Sequence, residues 1–335
     1  MKLKDMAAKA KVSVATVSRV LNDPGRVKER TRTRVLKAMR EVHYYPNALA
    51  RCLAKGENRC LGVVASNLDN PFYLEILLSL ESIARTRGYE VEVANPNCRA
   101  SELVASVRLM IGRRVAGLVL IATESNPALF LELEESGLPV VVCGSGTATD
   151  NISIIAINYM NGMHRVVKYL RSLGHCRLAF VCYHMAAGSA MERKMAFLDA
   201  TREFPDLRYI SVADSDDPGG GQQATRRLLA SGFRPTAIIS QNDYMALGVL
   251  RGVREHGLRV PEDLSVTGYD NILLSEFTSP PLTTVEVPRK EIGRMAFEAL
   301  VTNEGEIRQG GRTFVIDHEL VVRESTGRPG LQSEY

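Results

Sequence analysis

From Leu61 to Tyr269 the chain alternates short apolar runs with longer stretches of helical period, and that rhythm leaves few folds open. Runs such as Leu61-Gly62-Val63-Val64-Ala65 and Gly117-Leu118-Val119-Leu120-Ile121 have no polar face, so strands made from them must be covered on both sides. Together with Val91 to Ala94 and Pro139 to Cys143 they are spaced by helical stretches near 72–87, 101–113 and 127–136. After Asn158 the pattern restarts, with strands near 177–183, 209–213, 237–240 and 265–269 and helices near 159–173, 189–203, 219–231 and 243–256. Two similar α/β lobes follow, each a parallel, doubly wound sheet.

The first sixty residues obey a different pattern. Lys4 to Lys11 put Met6, Ala7 and Ala10 on one side, Val12-Ser13 breaks the period, and Val14 to Leu21 resumes it. That is a helix, a tight turn and a second helix. Ser13 is a good N-cap, because its hydroxyl can accept from the free N–H groups of the following turn. Val14, Ala15, Ser18 and Arg19 then lie on the leading face, which in a helix-turn-helix enters the major groove. Met1 to Cys60 holds fifteen Lys or Arg against five acids, a net of +10, so the chain total of +4 leaves −6 for the remainder. Basic charge gathered in one segment is the electrostatic footprint of a nucleic-acid partner.

Pro46 ends whatever precedes it, and Asn47 to Gly56 then offers one short helix closed by glycine. A helix of that length is marginal in water alone.

The run Leu3-Lys4-Asp5-Met6-Ala7, the stretch Val12 to Asn22, then Val27, Thr31-Arg32, Val35, Ala38-Met39 and Tyr44-Tyr45-Pro46-Asn47 resemble the lactose/galactose repressor (LacI/GalR) family of bacterial transcription factors. The resemblance continues almost to the C-terminus. Lys28 departs from it, standing where the family usually has a Ser that caps the third helix. The resemblance implies a DNA-binding role for Leu3, Ser13, Val14, Ala15, Thr16, Ser18, Arg19, Asn22, Thr31, Tyr44, Asn47, Ala50, Leu53 and Ala54. It also implies that the short helix folds on operator DNA, pairs with its dimer mate in the minor groove and wedges Leu53 into the central base step. Otherwise Leu53 is an apolar dimer contact.

The implied organisation is a helix-turn-helix domain at 1–46, a hinge helix and linker at 47–59, an effector-binding and dimerisation domain at 60–327, and a polar tail at 328–335. Lobe one takes about 60–157 and 288–316, lobe two about 158–287 and 317–327. The fold class is thus an α-helical DNA-binding module joined to an α/β periplasmic-binding-protein-like domain of two lobes.

In open α/β sheets ligands bind at the carboxyl ends of strands, so facing lobes predict a site in the cleft between them. Asn70, Phe72 and Tyr73 follow the first strand; Ser189 and Arg193 follow 177–183; Asp216 follows 209–213; Asn242 and Asp270 follow the last two. Each has an ordinary structural alternative as a helix cap, a hydrophobic staple or a turn residue. As a set they suit a small polar molecule, sugar-like or nucleoside-like: aromatic faces for a ring, forked groups for adjacent hydroxyls. The resemblance carries effector contacts onto Asn70, Phe72, Tyr73, Arg193, Asn242 and Asp270. Three positions depart from its pentose pocket: Asp216 replaces a covering aromatic, Cys143-Gly144-Ser145 a strand end often finishing in Asp-Arg, and Ala196 a glycine near Arg193. If Arg193 and Asp270 hold an effector, alanine at either should abolish the ligand response and leave ligand-free DNA binding near wild type.

The sequence lacks a GxSxG elbow, Walker A run, GxGxxG turn and HExxH helix, and its six histidines lie singly. That argues against an enzyme. The six cysteines have no CxxC pairing, so reduced cytosolic thiols are expected, with no metal and no cofactor. No apolar run approaches the ~20 residues of a membrane span, and with the first helical pattern beginning at once no secretion leader is expected. The expected partners are operator DNA, a small effector and a second copy of the chain, in the bacterial cytoplasm at the nucleoid. A ligand-independent architectural DNA-binding protein is the alternative.

Overall fold

A computed structural model of the chain describes residues 3–22, 24–42, 44, 58–122, 126–183 and 188–330. Its contacts divide the chain into two units, Met1–Arg59 and Cys60–Tyr335.

The first unit is a small helical body: α1 (Leu3–Ala10), α2 (Val14–Asn22), a 3-10 turn at Pro24–Arg26 and α3 (Glu29–Glu41). Met6, Ala7 and Ala10 of α1 pack against Val17 and Val20 of α2 and Val35 and Ala38 of α3, with Val12, Met39 and Tyr44 closing the edges. The apolar spacing of the sequence is what makes this core, since side chains three and four apart share a helix face.

The second unit begins with β1 (Cys60–Ala65), α4 (Pro71–Thr86), β2 (Glu90–Ala94), α5 (Ala100–Gly112), β3 (Gly117–Ile121), α6 (Pro127–Ser136), β4 (Val140–Cys143) and β5 (Ile152–Ile157). It continues with α7 (Tyr159–Ser172), β6 (Arg177–Tyr183), α8 (Ser189–Arg202), β7 (Arg208–Asp214), α9 (Pro218–Ala230), β8 (Ala237–Ser240), α10 (Asp243–Glu255) and β9 (Ser265–Thr267). A 3-10 turn at Leu273–Glu276, β10 (Thr284–Glu286), α11 (Arg289–Leu300), β11 (Thr313–Ile316) and β12 (Glu319–Val321) complete it.

One sheet runs β11-β5-β4-β3-β1-β2 and another β7-β6-β8-β9, every neighbouring pair parallel. Val63 of the first sheet pairs with Val93 and Val119, and both faces of that sheet are covered by helices. The apolar rhythm of the sequence does not reveal β5, although Ile152, Ile154 and Ile155 are buried in it, because it follows β4 with no helix between them to mark a new unit. Nor does it reveal α11 and the closing strands. β10 and β12 pair antiparallel as a separate ribbon, a departure from purely parallel sheets. The glycine run 219–221 lies in the first turn of α9, behind the Asp217 cap. Gly221 and Gly248 let α9 and α10 touch, since a Cβ on either would strike the other helix's backbone.

The chain leaves or re-enters the part built on the six-stranded sheet at β5 to α7, β10 to α11 and β11 to β12, and the antiparallel pairing of β10 with β12 sets the last two crossings side by side. Asn158 donates to Asp317 at 3.2 Å across two of them. Each sheet reverses its strand order beside a central strand, β1 in one and β6 in the other. The crevice beyond those strand ends is where such folds accept ligands.

Candidate ligand cleft and candidate DNA-binding face

The cleft lies at the strand ends and leaves about 460 Å³ between protein atoms, its open mouth included. Asn70, Phe72, Tyr73, Ser189, Arg193, Asp216, Asn242 and Asp270 all line it. Several of them do local structural work as well. Asn70 caps α4 by accepting from the Phe72 amide at 3.0 Å, and Pro71 opens that helix. Its cap aims Phe72 and Tyr73 into the cleft, edge to face with centroids 5.3 Å apart. Asn242 caps α10 through the Met245 amide at 2.8 Å while its amide nitrogen donates to Asp216 at 2.6 Å.

Arg193 is the hub. Its guanidinium donates to Asp270 at 2.9 Å and to the Gln241 carbonyl at 2.7 Å, and lies 4.6 Å over the Tyr159 ring and 4.8 Å over Tyr269. Among the described residues its Nε has no hydrogen-bond partner. Burial pushes the Asp270 carboxyl up to about 7, against the downward pull of Arg193. Burial likewise raises Asp216, with the Asn242 bond opposing it. Two carboxylates therefore face one guanidinium that is already engaged, so the cleft has no net positive charge to offer a ligand.

Asp270 and Asn271 both hold positive φ, at 104° and 50°. Strain of this kind costs on the order of 1–3 kcal/mol per residue and persists only where the surroundings enforce it. Behind it, Asp243 is buried and accepts from Ser275 and Thr284 at 2.6 Å each and from the Ile272 amide at 2.9 Å. Gly268 makes room for that carboxylate, since a Cβ there would collide with it.

Tyr159, Tyr183 and Cys143 also form the wall; the resemblance places Cys143 at the pocket, whereas the sequence pattern does not single out the two tyrosines. Tyr159 opens α7 directly after β5, so the strand that lacks a marker conceals the residue too. Tyr183 ends β6, where aromatic character in an apolar run gives no sign of which way it faces. Cys143 ends β4, and burial pushes its thiol up to about 12, leaving it an apolar wall.

In the N-terminal unit, α2 buries Val17 and Val20 and exposes Val14, Ala15 and Arg19 along one face, with Thr16 and Ser18 half-buried beside them. Ser13 caps the helix, its hydroxyl accepting from the Thr16 amide at 3.1 Å. Arg34 of α3 reaches back to the carbonyls of Ala10 and Lys11 at 2.5 and 2.8 Å. It thereby satisfies the free end of α1 and fixes the turn that orients α2. Lys28 provides no side-chain cap for α3, as its departure from the family's Ser implied. Thr31 is half-buried, and Tyr44 packs against the core. The hinge-helix expectation at 47–56, with Asn47, Ala50, Leu53 and Ala54, lies outside the described residues, as do the side chains of Leu3 and Asn22 and the end of the tail.

Comparison with known proteins bears on both features. The family model of bacterial regulatory proteins, lacI family, matches residues 2–47, and that of a periplasmic binding protein-like domain matches 167–326. The HTH-type transcriptional repressor CytR of Escherichia coli (strain K12) is 34% identical over 328 residues, 97% of this chain and 96% of that protein. PurR, an HTH-type transcriptional repressor of Yersinia pestis bv. Antiqua (strain Antiqua), is 32% identical over 327 residues, 96% of each. A crystal structure of the lac repressor dimer bound to operator and the anti-inducer ONPF matches with a TM-score of 0.81 at 28% identity, covering 98% of this chain and 99% of that one.

Proposed function

The chain belongs to the lacI family of bacterial regulatory proteins, and from that membership we propose that it is a repressor whose affinity for operator DNA is set by a small polar effector in the interlobe cleft. It acts as a homodimer in the bacterial cytoplasm, at the nucleoid, and is not an enzyme. Two-fold symmetry gives a pseudo-palindromic operator, each half read by α2, with Arg19 placed for guanine and Val14 and Ala15 for thymine methyls. Leu53 enters the minor groove between the halves.

The observation that supports effector control is the convergence of Arg193, Asp270, Asp216 and two aromatic rings on one enclosed cleft. Ligand can act on DNA only by binding the lobes' two arrangements unequally, and closure about the crossing segments is the hinge motion that would do so. A thermal-shift panel of metabolites, followed by operator titration with each hit, tests the reading. A ligand-independent architectural protein predicts no hit that alters DNA affinity.

Asp216 narrows the effector's chemistry. Asn242 satisfies one oxygen of this partly buried carboxylate, and the acceptor sites that remain are best met by a ligand donor, so we expect an uncharged or cationic molecule, with a hydroxyl pair or an amine at this wall. Asp216→Phe should weaken the natural effector and improve binding of a plain pentose. Isothermal titration of both proteins with the native hit, ribose and an amino sugar checks this; equal affinity for the native hit would remove Asp216 from the site.

Acidity gives a second handle. Asp270 gains a proton as pH falls through about 7, which removes both its charge and an acceptor site. Effector affinity should therefore drop by about tenfold from pH 8 to pH 6, in step with the ionised fraction. Asp270→Asn should flatten that profile, measured by titration calorimetry at both pH values.

A further inference from the structure

Arg289 is the first residue of α11 and is buried at 8% exposure. Its guanidinium spends all three nitrogens on fixed acceptors. Nε pairs with Glu75 of α4 at 2.9 Å; Nη1 donates to the Asp270 carbonyl and to Val287 at 2.7 Å; Nη2 donates to the Asn271 carbonyl at 2.6 Å. The residues so gripped are the two with positive φ. Glu75 closes the circuit, since its second oxygen accepts from the Leu273 amide at 3.4 Å.

These bonds join two walls of the cleft. Glu75 sits one turn after Phe72 and Tyr73 on α4, and α11 packs on α4 and on the six-stranded sheet. The turn at Asp270 and Asn271 belongs instead to the strand ends of the four-stranded sheet, past β9. We propose that Arg289 is a positioning residue of the cleft: it holds the Asp270–Asn271 turn in its strained conformation and, through Glu75, ties that turn to the helix that carries Phe72 and Tyr73. Calling these walls effector-binding rests on the function proposed above, but the tie itself does not.

The geometry demands a planar fork. Lysine offers one compact charge and cannot span acceptors on both sides of the turn and on α4 at once. A role as a mere buried cation would be met by lysine and would leave α4 indifferent.

Hydrogen exchange followed by mass spectrometry on the ligand-free, full-length chain separates these. In Arg289→Ala and Arg289→Lys, peptides covering 268–277 and the first two turns of α4 at 70–78 should exchange at least tenfold faster than in the wild type, while those covering β3 and β8 stay within twofold. Glu75→Ala removes only the tie, because it deletes both acceptor oxygens, so it should speed exchange at 70–78 and around Leu273 even if Arg289→Ala does not fold. Wild-type protection of 268–277 in Arg289→Lys, unchanged exchange at 70–78 in Glu75→Ala, or an equal rise throughout the second unit would each overturn the proposal. Because no ligand is present, such a result is distinct from failure of the effector reading, which the Arg193 and Asp270 variants test.

Discussion

Arg193→Ala is expected to cost the second unit about 3–5 kcal/mol of stability, whereas Arg193→Met combined with Asp270→Leu recovers most of that loss and still shows no operator response to effector. Sequence alone predicts that alanine at either position silences the response and does little else. The structure adds the mutual bond: both side chains are almost fully buried, and they pair at 2.9 Å. Truncating one strands the other's charge in the interior, while replacing both with apolar groups of similar volume removes the desolvation cost along with the attraction. Stability and response should therefore separate in the double variant. Urea unfolding monitored by circular dichroism gives the first quantity, and operator titration with and without the thermal-shift hit gives the second. A double variant that is stable and still responds would show that the pair serves the fold only.

Arg19→Ala is the second large effect, of about 1–3 kcal/mol in operator binding, or roughly 5- to 150-fold. Arg19 stands exposed on the same face of α2 as Val14 and Ala15, above the buried Val17 and Val20. A bidentate contact to a guanine edge carries sequence information that a phosphate contact does not. The loss should thus fall at one base position of each half-site, and specificity there should relax. Selection from a randomised operator library reads this directly. A uniform loss across all positions, with an unchanged preference, would demote Arg19 to a backbone contact.

Much of the fold and of the cleft is legible in the amino-acid order, for identifiable reasons. Uniformly apolar runs such as Gly117 to Ile121 can only be buried parallel strands, and the rule that ligands sit at strand ends leads from them to Phe72, Arg193, Asn242 and Asp270. What stays hidden is relational. No periodicity reveals that Asp270 neutralises Arg193 within the protein, or that Asn242 both caps α10 and holds Asp216. Tyr159 is concealed along with β5, whose Ile152-Ser153-Ile154 opening lacks the helix that flags a new strand. Arg289 gives no signal at all, since an arginine opening an amphipathic helix ordinarily faces water; its burial follows from the close packing of α11 on α4, where Gly293 approaches the Ile76 carbonyl.

Effector control of DNA binding is the central claim, and one equilibrium measurement tests it most directly. The dissociation constant of the full-length chain for its selected operator is determined with and without each small molecule that raises the melting temperature, at fixed salt because phosphate contacts make the affinity salt-dependent. At least one such molecule should shift the constant by about fivefold or more, the span of ordinary allosteric coupling, and the shift should vanish in Asp270→Asn. If every molecule that stabilises the protein leaves operator affinity unchanged, or if Asp270→Asn responds as the wild type does, the account is contradicted.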